Sequence, residues 1–339
     1  MVISKKILFR ADGNASTGLG HLYRMFALVE MLKDYYEFVF ITKENSNLEI
    51  IPKSYTTKVQ PKEISIPEEG VWLSRYFDPK DYIVVSDGYQ FNSEYQLGIK
   101  NTGFKQVYID DLEEYLIYSD IIINHSSGAK ESNYNTATNN VVFGLGTQYA
   151  LLRPLFLKEA LKPVSHKPNK ISDVFVCFGG ADKYSLSYLV TEQLLNNDTI
   201  KSIHVVVGAA SNDEDLKRLH QNNHDKVYLY RNLSEESLIE VMKKTNLAIV
   251  PTSTIFYEIA CLKIPTISGF FVNNQKGVYN WFNNEHCFYG VDDFTSFNFK
   301  NLNTIIDSVE QDKDSHIKNQ ARVIDGLQKD RMLALFNKL

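Results

Sequence analysis

The feature that most constrains this chain is an alternation, repeated along its length, of short wholly apolar runs with helix-patterned segments. "KILF" (6–9) is followed by "HLYRMFALVEMLKDY" (21–35), whose apolar residues recur at helical spacing. "FVFIT" (38–42), "YIVVSD" (82–87), "QVYIDD" (106–111) and "DIIIN" (120–124) continue the series. Runs that are apolar throughout suit strands covered on both faces, so the pattern predicts parallel sheets in a doubly wound α/β architecture. It weakens at 153–172, "RPLFLKEALKPVSHKPNKIS", where Pro, Lys and Ser accumulate. It restarts with "DVFVCFGG" (173–180), "IHVVVG" (203–208), "KVYLY" (226–230), "LAIVP" (247–251) and "PTISGF" (265–270). The expectation is a Rossmann-like domain over 1–155, a linker over 156–172 and a second Rossmann-like domain over 173–339. The two would face each other across a ligand-binding cleft, with a C-terminal helix able to pack back on the first.

Composition narrows the function classes. A chain of 339 residues, 44% apolar and 23% charged, has the make-up of a soluble globular protein with room for two cores. Its net charge of −5 gives no electrostatic case for nucleic acid or an anionic membrane as partner. No run approaches the roughly 20 apolar residues of a membrane span. The first residues, "MVISKK", contain no apolar signal region. Cys177, Cys261 and Cys287 are widely spaced and odd in number, which suits buried thiols in a reducing cytoplasm and offers no zinc spacing. A cytoplasmic monomer or weak dimer is expected.

The first stretch with chemical content is "FRADGNASTGLGHLYR" (9–24). Gly13, Gly18 and Gly20 fall between the first strand and the first helix, at the sheet edge where α/β folds bind ligands. Gly13 and Gly18 have P-loop spacing, but Leu19 and Gly20 stand where that motif needs Lys and Ser or Thr. A dinucleotide fingerprint fails too, since Tyr23 replaces the third glycine. What remains is a catalytic turn delivering His21 to a helix N-terminus, where the helix dipole disfavours the cation and keeps the ring able to take a proton. A histidine that merely caps or packs is the alternative, and Arg10, Asp12 and Arg24 crowding the same turn weigh against it.

In the second half, "FGGADKYS" (178–185) ends a strand in Gly179-Gly180 and enters a helix near Asp182 or Ser185. "PTSTIFYEIACLKIPTI" (251–267) is more specific. Thr252, Ser253 and Thr254 are placed to cap the next helix, whose free N–H groups suit a diphosphate, and Glu258 one turn on suits ribose hydroxyls. "FVNNQ" (271–275) sets Asn274 and Gln275 at another loop before a helix.

Taken in order, "FRADGNASTGLGHLYR", "VSDGYQ", "YIDDLE", "IINHSSGAKESNY", "GTQYALLRPLF", "FVCFGGAD", "STIFYE" and "NNQ" resemble the UDP-2,4-diacetamido-2,4,6-trideoxy-β-L-altropyranose hydrolases of pseudaminic acid biosynthesis. Spore-coat polysaccharide proteins share much of the pattern, and the resemblance runs from about residue 6 to about 290. It implies a GT-B fold, no metal, and His21 as the base that deprotonates a water attacking C1 with inversion, UDP leaving. It further implies that Arg10, Gly18, Gly20, Arg24, Asp87, Asn124, Tyr149, Arg153, Gly179, Gly180, Asp182, Ser253, Thr254, Glu258, Asn274 and Gln275 hold nucleotide or sugar. Asp12, Tyr89, Asp110 and Asp111 are candidates to place water, orient His21 or hold the acetamido groups. His125 stands where relatives often carry another small or polar residue, and it is not expected to act in catalysis. The remaining histidines have no constellation around them. The rival readings are a GT-B glycosyltransferase passing a UDP- or CMP-linked sugar to an acceptor other than water, and a non-catalytic nucleotide-sugar binder.

Overall fold

The computed structural model describes residues 5–14, 18–164, 170–179, 182–208 and 214–339. They divide into two compact units, Met1–Pro154 with Leu327–Leu339, and Leu155–Gly326.

The first unit carries β1 (Lys6–Ala11), α1 (Gly20–Leu32), β2 (Phe38–Lys43), β3 (Thr57–Gln60), α2 (Glu69–Ser74), β4 (Tyr82–Asp87), α3 (Ser93–Asn101) and β5 (Lys105–Ile109). There follow β6 (Leu116–Ile117), β7 (Ile121–Asn124), β8 (Asn135–Thr136) and β9 (Val142–Leu145). Seven strands form one parallel sheet in the order β3-β2-β1-β4-β5-β7-β9, while β6 and β8 pair separately. The apolar runs do what the reading required: Ile7, Leu8, Phe9, Val84, Val85 and Ile121–Ile123 are inaccessible or nearly so. Helix α1 turns Leu22, Met25, Val29 and Leu32 inward at helical spacing.

The second unit opens with α4 (Pro154–Ala160) and continues β10 (Asp173–Val176), α5 (Leu186–Leu195), β11 (Ser202–Val207), α6 (Glu214–Asn222), β12 (Val227–Arg231), α7 (Glu235–Lys243) and β13 (Leu247–Pro251). It closes with α8 (Thr254–Cys261), β14 (Thr266–Phe270), α9 (Lys276–Asn284), β15 (Tyr289–Asp293) and α10 (Leu302–Val323), and α11 (Gln328–Phe336) follows in the first unit. Its parallel sheet runs β12-β11-β10-β13-β14-β15. All three cysteines are buried and unbridged.

Part of the stretch expected to be a linker is ordered structure. Residues 154–160 form α4, because Phe156, Leu157 and Ala160 make one buried stripe and Pro154 at the first position is pre-set for a helix. Lys263 then donates from Nζ to the Ala160 carbonyl at 2.6 Å and the Lys162 carbonyl at 2.5 Å, satisfying the end of that helix.

In each sheet the strand order reverses once, between β1 and β4 in the first and between β10 and β13 in the second. Ligands of open α/β sheets bind outside the strand ends at such a reversal. The loops concerned carry His21 and Asp87 in one unit, and Gly179, Asp182, Ser253 and Thr254 in the other.

Candidate functional site

In the first unit the reversal brings together residues from four loops. The β1–α1 turn begins tightly: a Cβ on Gly13 would lie 2.8 Å from Leu22 Cδ1 and 2.9 Å from the Gly18 carbonyl. Gly18 has φ +78°, which favours glycine, and Gly20 opens α1. His21 therefore stands in the first turn of the helix.

Its ring meets Asp87 at the end of β4, with Nδ1 2.8 Å from Oδ1. Burial alone would push the Asp87 carboxyl up, but the charge and hydrogen bonds of Arg24, and that of His21, hold it below the usual carboxylate range. An ionised carboxylate only accepts, so Nδ1 carries the ring proton and Nε2 is the basic nitrogen. Arg24, one turn along α1, forks onto the same carboxylate, Nε to Oδ2 at 2.7 Å and Nη2 to Oδ1 at 2.5 Å. Its third arm, Nη1, reaches Asp111 Oδ2 at 2.9 Å. Tyr89 closes the group, its ring edge-on to His21 at 4.6 Å and 51% exposed. Burial and then the Asp111 charge push the Tyr89 hydroxyl up.

Several expected residues take other places. Arg10 is fully buried, with Nε on Glu69 Oε1 at 2.6 Å and Nη1 on Asp12 Oδ1 at 2.5 Å. Asp12 does not orient His21, since its Oδ1 also takes the Lys43 N–H at 2.7 Å and its Oδ2 takes Gln90 Nε2 at 3.2 Å. The carboxylate on the histidine is Asp87, which the sequence had suggested as a sugar contact. Asn124 is buried, donating to Tyr134 Oη at 2.9 Å and accepting from the Ser126 N–H. Asp110 accepts the Leu112 and Glu113 N–H groups and so shapes its own loop. Tyr149 lies in a turn against Gly144 of β9, three strands from β4, and Arg153 is half-buried just before α4. His125, beside the group, is in electrostatic reach of Arg24 and Asp87, and burial first, then Arg24, pushes it down to about 3.

Two residues were missed from sequence. Glu69, the buried counter-charge of Arg10, is a glutamate on the inward face of the short helix α2. Gln90, which directly follows Tyr89, donates to Asp12 Oδ2.

In the second unit, Gly179 (φ +86°) lies in the loop after β10, and Gly180 lies outside the described residues. The Asp182 carboxylate already caps α5, taking the Leu186 and Ser187 N–H groups at 2.9 Å each. At α8 the expected capping does not occur. Ser253 stands at the N-cap with no side-chain bond, and Thr252 turns its hydroxyl to the Gly269 carbonyl. The first turn of α8 thus has no side-chain cap from Ser253, and its Phe256 N–H meets the Ser253 carbonyl at 2.9 Å. Glu258 is buried on α8, and its charge and that of Asp182 both act on Cys177, whose thiol burial pushes up to about 12. Gln275 is committed to the Phe271 N–H at 3.1 Å, while Asn274 is exposed just before α9. Among the described residues, no three His, Cys, Asp or Glu side chains are grouped to hold a metal ion.

Two Rossmann-like units, each a doubly wound parallel sheet with its candidate residues at the strand-order reversal, define the GT-B class. Solved structures agree. MurG of Acinetobacter baumannii superposes with a TM-score of 0.65 at 10% identity over 99% of this chain and 100% of its own. HepE (Alr3699) of Anabaena, solved with UDP, does so at 0.62 and 11% over 98% and 100%.

The particular resemblance also holds, and the chain is a relative of the UDP-2,4-diacetamido-2,4,6-trideoxy-β-L-altropyranose hydrolase of Campylobacter jejuni. The two are 26% identical over 81% of this chain and 95% of that one. An uncharacterized protein of Methanocaldococcus jannaschii, MJ1062, is 28% identical over 77% of this chain, which spans only 55% of that longer protein. The spore coat polysaccharide biosynthesis protein SpsG of Bacillus subtilis is 24% identical over 76% and 75%. No family model matches the chain.

Proposed function

We propose that the chain hydrolyses a UDP-linked 2,4-diacetamido-2,4,6-trideoxy sugar, with His21 as general base. The observation that carries this reading is the Nδ1–Asp87 contact at 2.8 Å, which fixes the ring and leaves Nε2 as the proton acceptor. Nε2 takes a proton from water, the water oxygen bonds to C1, the bond from C1 to the diphosphate oxygen breaks, and UDP departs from an inverted sugar. Gly179, Gly180, Asp182, the Ser253–Thr254 turn, Glu258 and Asn274 are assigned to UDP, the N-terminus of α8, which lacks a side-chain cap, offering a diphosphate the kind of anion site that Asp182 occupies on α5. The substrate class comes from the relative in Campylobacter jejuni. The reaction is proposed to need no metal and to run in the cytoplasm.

Proton NMR on the purified protein, with EDTA present, tests this using UDP-2,4-diacetamido-2,4,6-trideoxy-β-L-altrose. The expected result is loss of the anomeric signal, with free sugar and UDP, and a kcat lower by about 10²–10⁴ in His21→Ala. Unchanged turnover in His21→Ala removes the base. An intact sugar nucleotide transferred only when an acceptor alcohol is added replaces hydrolysis with glycosyl transfer.

A further inference from the structure

We infer that Asp111 is a positioning residue that acts through Arg24 to supply the negative field for a proton arriving on His21. The inference rests on the assignment of His21 as base. Arg24 holds Asp87 with two of its arms, and its Nη2 also lies 3.2 Å from His21 Nδ1. A guanidinium this close opposes positive charge on the ring. With Asp87 alone, carboxylate and guanidinium would cancel, and an imidazolium would form beside a neutral pair. Asp111, 2.9 Å from Nη1, adds a second carboxylate. The two carboxylates and one guanidinium then carry a net −1 when the ring is neutral, and the whole group is neutral once the ring has taken its proton. The same contact pins the third arm of Arg24, so the fork cannot pivot away from Asp87.

Charged or titratable groups of four segments meet in or beside this arrangement. Arg24 comes from α1, Asp87 and Tyr89 from the end of β4 and the residues after it, Asp110 and Asp111 from the loop after β5, and His125 from the loop after β7. His125, pushed down to about 3, brings no charge at neutral pH, and Tyr89, pushed up, brings none either. Asp110 is tied to the backbone of its own loop. Asp111 is thus left as the second carboxylate held by Arg24. Its side chain is only 27% exposed, so solvent screens its charge incompletely.

Asp111→Asn keeps the shape and an acceptor for Nη1 while removing the charge, and Asp111→Glu restores it. The measurement is kcat/KM for UDP release between about pH 5 and 9. In Asp111→Asn the acidic limb is expected about one pH unit lower, with plateau kcat down about 3- to 10-fold and KM within about twofold. Asp111→Glu should recover both. Mere loosening of the loop lowers the plateau or raises KM without moving the limb, and that outcome overturns the inference. ¹⁵N NMR of the His21 ring follows the same shift without turnover, so a ring that titrates alike in wild type and Asp111→Asn also overturns it. Neither failure touches the base assignment, which falls only if His21→Ala turns over like wild type.

Discussion

A fully buried arginine is tolerable only where acceptors meet its arms, and Arg10 finds them in Glu69 and Asp12. Glu69 is equally buried and also takes the Tyr95 hydroxyl at 3.3 Å. Removing one partner of such a pair strands the other charge, which costs about 3–5 kcal/mol. Glu69→Ala should therefore lose about that much stability in urea unfolding, and Glu69→Gln, which keeps an acceptor, distinctly less. A loss under about 1 kcal/mol in Glu69→Ala would show that water reaches Arg10. This is also where sequence reading reached its limit among single residues. Charges crowding the His21 turn were visible as a local cluster, but their partners are not local. Arg10 to Glu69 spans 59 residues, Arg24 to Asp87 spans 63, and Arg24 to Asp111 spans 87. From sequence, Asp12, Tyr89, Asp110 and Asp111 stand together as candidates to orient the histidine, and Asp87 falls to the nucleotide or sugar. Pairing of β1 with β4, which sets Ala11 beside Asp87, brings Asp87 to the histidine, while Asp12 is held by Arg10, Lys43 and Gln90.

Among the elements, the strands were the most legible. A buried parallel strand is apolar along its whole length, and "YIVVSD" and "LAIVP" coincide with β4 and β13. Helix ends were less so, because what satisfies a helix terminus is decided in three dimensions. The Ser and Thr run before α8 has the composition of a cap and does not act as one, whereas Asp182, four residues before Leu186, caps α5 from a left-handed backbone position (φ +41°). A cap of this kind is worth about 0.5–2 kcal/mol. Asp182→Ala should cost the second unit about that much in thermal unfolding, with Asp182→Asn losing less because it keeps one acceptor oxygen. If the aspartate serves only a ligand and not the helix, both variants will unfold like wild type in the absence of UDP.

At the scale of the molecule, the chain crosses from one unit to the other after Pro154 and returns after Gly326. Compositional thinning at 153–172 pointed to the first crossing, yet gave no sign that α4 already belongs to the second unit. The return is carried by α11, whose Met332, Leu335 and Phe336 are buried and whose Gln328 donates from Nε2 to the Thr147 carbonyl at 3.3 Å. Phe336 also lies near the Tyr36 ring, 6.2 Å between centroids, while the Tyr36 hydroxyl reaches Asn337 at 2.9 Å. A segment distant in sequence thus completes the core behind α1, the helix that carries His21 and Arg24. Truncating a buried phenylalanine to alanine costs about 3–5 kcal/mol, from lost burial and the cavity left behind. Phe336→Ala should therefore weaken the first unit by that amount. Hydrogen exchange is the measurement that separates the units: amides of α1, β1 and the 147–149 turn should lose protection, while those of β10, β11 and β13 keep theirs. Equal loss in both units would mean that the chain unfolds as a single cooperative block, and that the last helix stabilises the whole molecule instead of the unit that holds His21.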